Sequence, residues 1–339
     1  SLCAFLGFGI TSDLFTSFSL FFPSAFPLLF ALLLWLVLFF GRERQVKSIY
    51  LDYNATTPLD PAVKEAMLPF LDDFYGNPSS IHSIGRKVRA FLDDSRERVA
   101  DVWKCKASEV GFTSGATESI NLAICGTARV LKPYGRHIIT SAVEHHAVLR
   151  SVEYLVNNEG FEKTILPVDV DGRVDPLDLE NAIQDNTILV SIMAANNETG
   201  TIQPIAELGA VCHRLRVCFH TDAVQSVGKI PVNVKALGVD ILSLSAHKFN
   251  GPKGIGALYT KRGVIVTPLV LGGPQERRRR GGTENVPAIA GFGVAAEAAS
   301  AWLTKENIAS MICLRDDFEA RLKEQIPNIR INSGGATRA

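Results

Sequence analysis

The sequence predicts an α/β fold: a mostly parallel, seven-stranded sheet with helices on both faces. Two observations predict it. From Ile49 onward, short β-rich runs alternate with amphipathic helical stretches. Strands alternating with helices in this way argue for a mostly parallel sheet covered on both faces. Polar, glycine-containing loops follow several of the runs, where ligands collect in such sheets.

The first candidate strands are Val110–Thr113, His137–Thr140 and Lys163–Val168. Ile188–Met193, Val217–His220, Ile241–Ser245 and Ile255–Tyr259 complete the seven. Between them the apolar spacing predicts helices over Ser79–Trp103, Ala116–Ala128, Ala147–Asn157, Pro176–Ile183 and Ile205–Arg214. Ala-rich Pro287–Ala301 reads as a long helix leaving the sheet. Ile308–Glu324, a helix, and Arg330–Asn332, a strand, read as the opening of a smaller α+β domain. The expected division is 1–41 apolar segment, 47–302 large domain and 303–339 start of an incomplete small domain.

The 339 residues carry 35 Lys and Arg against 35 Asp and Glu. Zero net charge argues against a nucleic-acid binder, which normally carries a basic excess on one face; the Arg277–Arg280 run is the one local exception. The six cysteines form no C-x-x-C and no zinc spacing, so no metal site is expected. Scattered as they are, they read as reduced core residues of a cytosolic protein. From Leu14 to Gly41 there is no charge, and Arg42 and Arg44 follow. That stretch is long enough to span a bilayer, with positive residues on the side that stays cytoplasmic. It reads either as a membrane anchor or as a non-native extension.

Chemistry gathers at the strand ends. Ile241–Ser245 runs into Ala246-His247-Lys248, then a Gly/Pro turn. A lysine at the mouth of a sheet can form a Schiff base with an aldehyde cofactor, because burial favours its neutral amine. Strand alternation would send Ser245 and His247 one way, to bind phosphate, and Lys248 the other. Alone, a His-Lys pair means little. Asp222, in His220-Thr221-Asp222-Ala223-Val224-Gln225, can pair with a pyridinium nitrogen, and Gln225 can donate to a ring oxygen. The plainer reading of Asp222 is a cap for the next turn. Thr113-Ser114-Gly115-Ala116-Thr117-Glu118 is a strand, a glycine turn and a helix start, whose free N–H groups suit an anion. A capping box from Ser114 to Glu118 accounts for it equally well. His145 follows a fourth strand, where an imidazole can stack on a ring and relay a proton. Asn196-Asn197-Glu198-Thr199-Gly200, and Gly281-Gly282-Thr283-Glu284-Asn285 after the Arg277–Arg280 run, add polar groups. Each loop is weak alone; together they converge on one cofactor.

With these motifs the chain resembles the cysteine desulfurase (NifS-like) branch of the class V, fold-type I enzymes that use pyridoxal 5'-phosphate. The motifs stand in the family's order, including Tyr50-Leu51-Asp52-Tyr53-Asn54-Ala55-Thr56-Thr57-Pro58 and Gly76-Asn77-Pro78-Ser79-Ser80, over roughly Lys47 to Asn332. The resemblance implies that Lys248 holds the cofactor as a Schiff base, Asp222 faces the pyridinium and Gln225 the phenolic oxygen. It implies that His145 stacks and transfers protons. Ala116, Thr117, Ser245 and His247 would hold the phosphate, with Thr283 contributed by the second subunit of a homodimer. Asn197 would face the substrate carboxylate. The implied reaction takes sulfur from L-cysteine, leaving L-alanine, and passes it to an iron–sulfur scaffold or another acceptor protein.

The family's nucleophilic cysteine follows the Gly-Thr-Glu-Asn motif on a mobile loop, and a C-terminal arginine binds the substrate carboxylate. Neither falls within Ser1–Ala339. The sequence therefore reads as a C-terminally truncated member, expected to bind the cofactor poorly or without sulfur transfer. Two alternatives stay open: a selenocysteine lyase, which shares these motifs, and a non-catalytic subunit of the same fold.

Overall fold

The computed structural model describes residues 49–339, so the apolar segment at 14–41 and its polar link lie outside the described residues. Asp52–Ala339 packs as one unit. Its seven strands are β1 (Val110–Thr113), β2 (His137–Ser141), β3 (Glu162–Leu166), β4 (Thr187–Ser191), β5 (Cys218–Asp222), β6 (Ile241–Ser245) and β7 (Gly256–Thr260). They form a single sheet in the order β1-β7-β6-β5-β4-β2-β3. Only β7 runs against its neighbours, β1 and β6. The C-terminal ends of β1, β2, β4, β5 and β6 therefore share one edge of the sheet. That edge carries the site.

Most strands are buried on both faces: β1, β2, β4, β6 and β7 have no exposed residue, while β3 at the sheet edge exposes Glu162, Lys163 and Ile165. Polar side chains inside them pair across the sheet. His220 of β5 bridges Ser191 Oγ, 2.8 Å from Nδ1, and Ser243 Oγ, 2.9 Å from Nε2. Full burial pushes this imidazole down to about 3, so it stays neutral and structural.

Nine α-helices surround the sheet: α1 (Pro61–Met67), α2 (Ser83–Trp103), α3 (Ala116–Asn121), α4 (Thr127–Leu131), α5 (His146–Glu159), α6 (Pro176–Ala182), α7 (Ile205–Leu215), α8 (Val286–Trp302) and α9 (Lys305–Gln325), counted among the described residues. α2 is amphipathic, burying Val88, Leu92, Val99 and Trp103. α8 starts at an Asn285 cap with Pro287 in its first turn and is largely buried. Its small residues let α2 approach: a Cβ on Gly293 would lie 2.9 Å from the Cα of Ser95. α3 and α4 are joined by a π-helical segment at Leu122–Gly126 with right-handed helical backbone at both junctions, so the expected helix over Ala116–Ala128 runs through with a widened turn inside it.

One expected element is absent. Arg330–Asn332 forms no strand; it ends in a turn where Ser333 takes a left-handed backbone, ahead of Gly334-Gly335. A strand needs a ladder partner, and the bridge in this region instead joins Arg338 to Thr201. Among the described residues no single helix is long and apolar enough to cross a membrane.

Candidate active site

At the C-terminal edge of the sheet lies a cavity of about 890 Å³. Lys248, Asp222, Gln225, Ser245 and His247 line it from β5 and β6, and Ala116 and Thr117 from the start of α3. His145 and Asn197 close it from the loops after β2 and β4. Thr283 does not reach this cavity. It is exposed on the loop before α8 and borders a smaller cavity beside Ser114 and Glu284.

β6 ends at Ser245, and Ala246–Lys248 form one turn of 3-10 helix. The strand alternation expected for Ser245, His247 and Lys248 therefore does not apply. A 3-10 turn brings positions three apart onto one side, so Ser245 and Lys248 face the cavity together. Lys248 Nζ donates to the main-chain carbonyls of Asn54 at 2.6 Å and Ala55 at 2.9 Å. Burial lowers its pKa, while the Asp222 and Asp52 carboxylates act against that shift.

The segment around Asn54 runs alongside this turn. Thr57 donates to the His247 carbonyl from both its N–H at 3.0 Å and its hydroxyl at 2.9 Å. Thr56 Oγ1 lies 3.0 Å from His247 Nδ1. With Nδ1 so engaged, Nε2 remains to meet an anion.

Asp222 is buried and its Oδ1 accepts from the Val224 N–H at 3.0 Å, so the capping reading also holds. Among the described residues no donor reaches its other oxygen. Burial pushes this carboxyl up to about 6. A buried carboxylate lined by a cavity calls for a cationic partner, and a pyridinium N–H meets that need.

The anion cradle is built on glycine. Gly115 precedes α3, no side chain caps that helix, and its first N–H groups have no partner within the helix. A Cβ on Gly256 at the start of β7 would come within 2.5 Å of the Gly115 carbonyl carbon. Only glycine allows that approach. Glu118 Oε2 accepts from the N–H of Ser114 at 2.9 Å and from its hydroxyl at 2.5 Å. The expected Ser114–Glu118 link therefore exists, but the N-cap position itself is Gly115, one residue later.

His145 is the N-cap of α5. Its Nδ1 accepts from the Ala147 N–H at 3.1 Å, which puts the ring proton on Nε2. Burial, then the Lys248 and His146 charges, hold its pKa below the ordinary value. The preceding Glu144 is fully enclosed; its Oε1 accepts from Ser141 Oγ at 2.6 Å and from the Met193 N–H at 2.9 Å. It thus ties the end of β2 to the end of β4. Asn196 Nδ2 donates to the Val143 carbonyl at 2.9 Å, fixing the loop that presents Asn197.

Residues 52–57 and Glu144 complete the site, and no local pattern assigned them a task. Their partners lie about 50 or 190 residues away, so only the fold reveals them. Among the described residues no cysteine lines the cavity. Burial pushes the thiols of Cys105 and Cys212 up to about 12 and that of Cys125 up to about 11.

The donor set fits pyridoxal phosphate: an amine, a buried carboxylate, an imidazole and an uncapped helix start share one cavity. Comparison with known proteins agrees. The aminotransferase class-V family profile matches residues 49–338. A cysteine desulfurase IscS of Dictyoglomus turgidum is 52% identical over 292 residues, covering 86% of this chain and 74% of the relative. One of Methanosarcina thermophila is 50% identical over 287 residues, covering 84% and 70%. A solved NifS-like protein superposes with a TM-score of 0.79 at 44% identity, covering 81% of this chain and 76% of its own. A structure of SspA in complex with cysteine gives a TM-score of 0.72 at 42% identity, covering 74% and 72%.

Proposed function

This chain belongs to the aminotransferase class-V family, among its pyridoxal-phosphate-dependent cysteine desulfurases, and from that premise we propose how its own residues divide the work. The observation that carries the reading is the placing of Lys248, Asp222 and the Gly115 cradle around one cavity. Lys248 holds the cofactor through its amine, which burial keeps more available as the free base. Asp222 faces the ring nitrogen and Gln225 donates to the ring oxygen. The N–H groups of Ala116 and Thr117, with the Thr117 and Ser245 hydroxyls and His247, hold the phosphate. When bound, pyridoxal phosphate supplies an electron sink for bonds at the substrate's α-carbon.

The substrate is L-cysteine, as the naming of the relatives and the cysteine in one neighbour's structure support. Asn197 meets its carboxylate. His145 lies against the ring, and its Nε2 passes protons to and from the substrate. The products are L-alanine and a persulfide: the sulfur of L-cysteine passes to a thiol, its bond to carbon breaking as the sulfur–sulfur bond forms, for delivery to an iron–sulfur scaffold or another acceptor protein. The protein works as a homodimer in which Thr283 of one subunit completes the phosphate site of the other. Exposure of Thr283 outside its own cavity supports this arrangement.

Absorbance tests the cofactor assignment. Purified protein loaded with pyridoxal phosphate should show the visible band of the lysine-bound cofactor, and Lys248→Ala should lose it. An unchanged spectrum in that variant would overturn the assignment.

A further inference from the structure

Four residues beyond Gln225, on the turn that follows β5, stands a second lysine close to the cofactor amine. Lys229 is half-buried, and its Nζ donates to Gln225 Oε1 at 2.6 Å and to Asn54 Oδ1 at 2.9 Å. Gln225 in turn donates from Nε2 to the Asn54 carbonyl at 2.9 Å, the same carbonyl that receives Lys248 Nζ at 2.6 Å. An ammonium offers only donors and a carbonyl only accepts. Both contacts therefore force the same orientation of the Gln225 amide, oxygen toward Lys229 and nitrogen toward Asn54. Without Lys229 the amide oxygen loses its charged partner, and the Asn54 carbonyl alone is left to hold the amide's orientation. Asn54 loses its side-chain anchor as well, while its carbonyl remains the seat of Lys248.

We propose that Lys229 is a positioning residue of this site: it orients the Gln225 amide with its donor toward the cofactor and pins Asn54 against Lys248. The arrangement is costly, which argues that it is built for a purpose. Burial, and then the neighbouring charge of Lys248, bring the Lys229 pKa down to about 8. The proposal rests on the reading above that Gln225 faces the ring oxygen of pyridoxal phosphate.

The test is cofactor binding by the full chain, followed by the lysine-bound absorbance band as pyridoxal phosphate is titrated into cofactor-free protein. Lys229→Met should weaken binding roughly tenfold, the value of one charged hydrogen bond. Lys229→Arg, which keeps a cationic donor, should recover most of that loss. In a Gln225→Leu background, Lys229→Met should cost clearly less than in wild type, because only the Asn54 anchor is then left to lose. Equal effects of Lys229→Met in both backgrounds, or wild-type binding by Lys229→Met alone, would overturn the proposal. Thermal melting of the cofactor-free variants separates misfolding from mispositioning; if Lys229→Met melts early, Lys229→Leu takes its place under the same criteria. Persistence of the band in Lys248→Ala would instead overturn the underlying cofactor reading.

Discussion

Arg96 and Glu276 meet fork to fork, with Nη1 to Oε2 at 2.6 Å and Nη2 to Oε1 at 2.8 Å, and each side chain is 2% exposed. Glu276 Oε2 also accepts from the Phe112 N–H at 2.8 Å. The pair therefore fastens the arginine-rich loop to α2 and to β1, the strand that feeds the Gly115 cradle. Removing one partner strands a buried charge. Glu276→Ala should lower the unfolding free energy by about 3–5 kcal/mol, measured by urea denaturation of cofactor-free protein. A loss under about 1 kcal/mol would mean that water reaches Arg96. Glu276 itself has a left-handed backbone, φ 44°, so the loop is held in this shape by the pair rather than by local preference.

Cofactor binding should depend on pH through Asp222. Burial raises its carboxyl from the ordinary 3.8 to about 6 in the protein alone. Above that value it is an anion and can pair with a pyridinium; below it, the proton must be displaced. Affinity for pyridoxal phosphate should therefore fall as pH drops below about 6, by up to roughly tenfold per unit. Asp222→Asn should bind roughly tenfold to a hundredfold more weakly at pH 8. It should also lack the extra fall at low pH. The phosphate takes up a proton in the same range in both proteins, so the difference between the two curves isolates Asp222. Parallel curves would refute the pairing.

Much of the fold, and most of the residues that line the candidate cavity, are legible in the sequence for a physical reason. β1, β6 and the strand-end residues Asp222 and Lys248 are set by contiguous patterns: an apolar run, then a polar group, then a glycine or a turn. Such patterns survive without knowledge of the partner strands. Three features were not legible. The 3-10 turn at Ala246–Lys248 redirects side chains that strand alternation would send apart, and nothing in Ser-Ala-His-Lys announces it. The absent strand at Arg330–Asn332 depended on a ladder partner, which no local pattern can supply. Asn54 and Lys229 act through contacts 175 residues apart in the chain, so only the assembled sheet edge brings them together.

Glu144 gives the last prediction. Its Oε1 holds the Ser141 hydroxyl and the Met193 N–H, but its Oε2 is buried with no hydrogen-bond partner. Burial raises its pKa from 4.5 to about 8, and the nearby Asp222 charge adds to the rise. In the unfolded chain the carboxyl releases its proton near 4.5, while in the folded protein it keeps it to about 8. Its contribution to stability is therefore complete below pH 4.5 and is lost as pH rises to about 8. Asp222, raised in the same direction, acts in the same sense until the cofactor's positive ring offsets it. Glu144→Gln keeps both acceptor contacts through its carbonyl and cannot ionise. Cofactor-free Glu144→Gln should match wild type, or fall slightly below it, near pH 5. By pH 8 it should gain on wild type by an amount on the order of a few kcal/mol, read from urea unfolding at each pH. If the two stability curves run parallel from pH 5 to 8, Glu144 is ionised in the folded protein and the enclosed carboxyl has a partner that burial conceals.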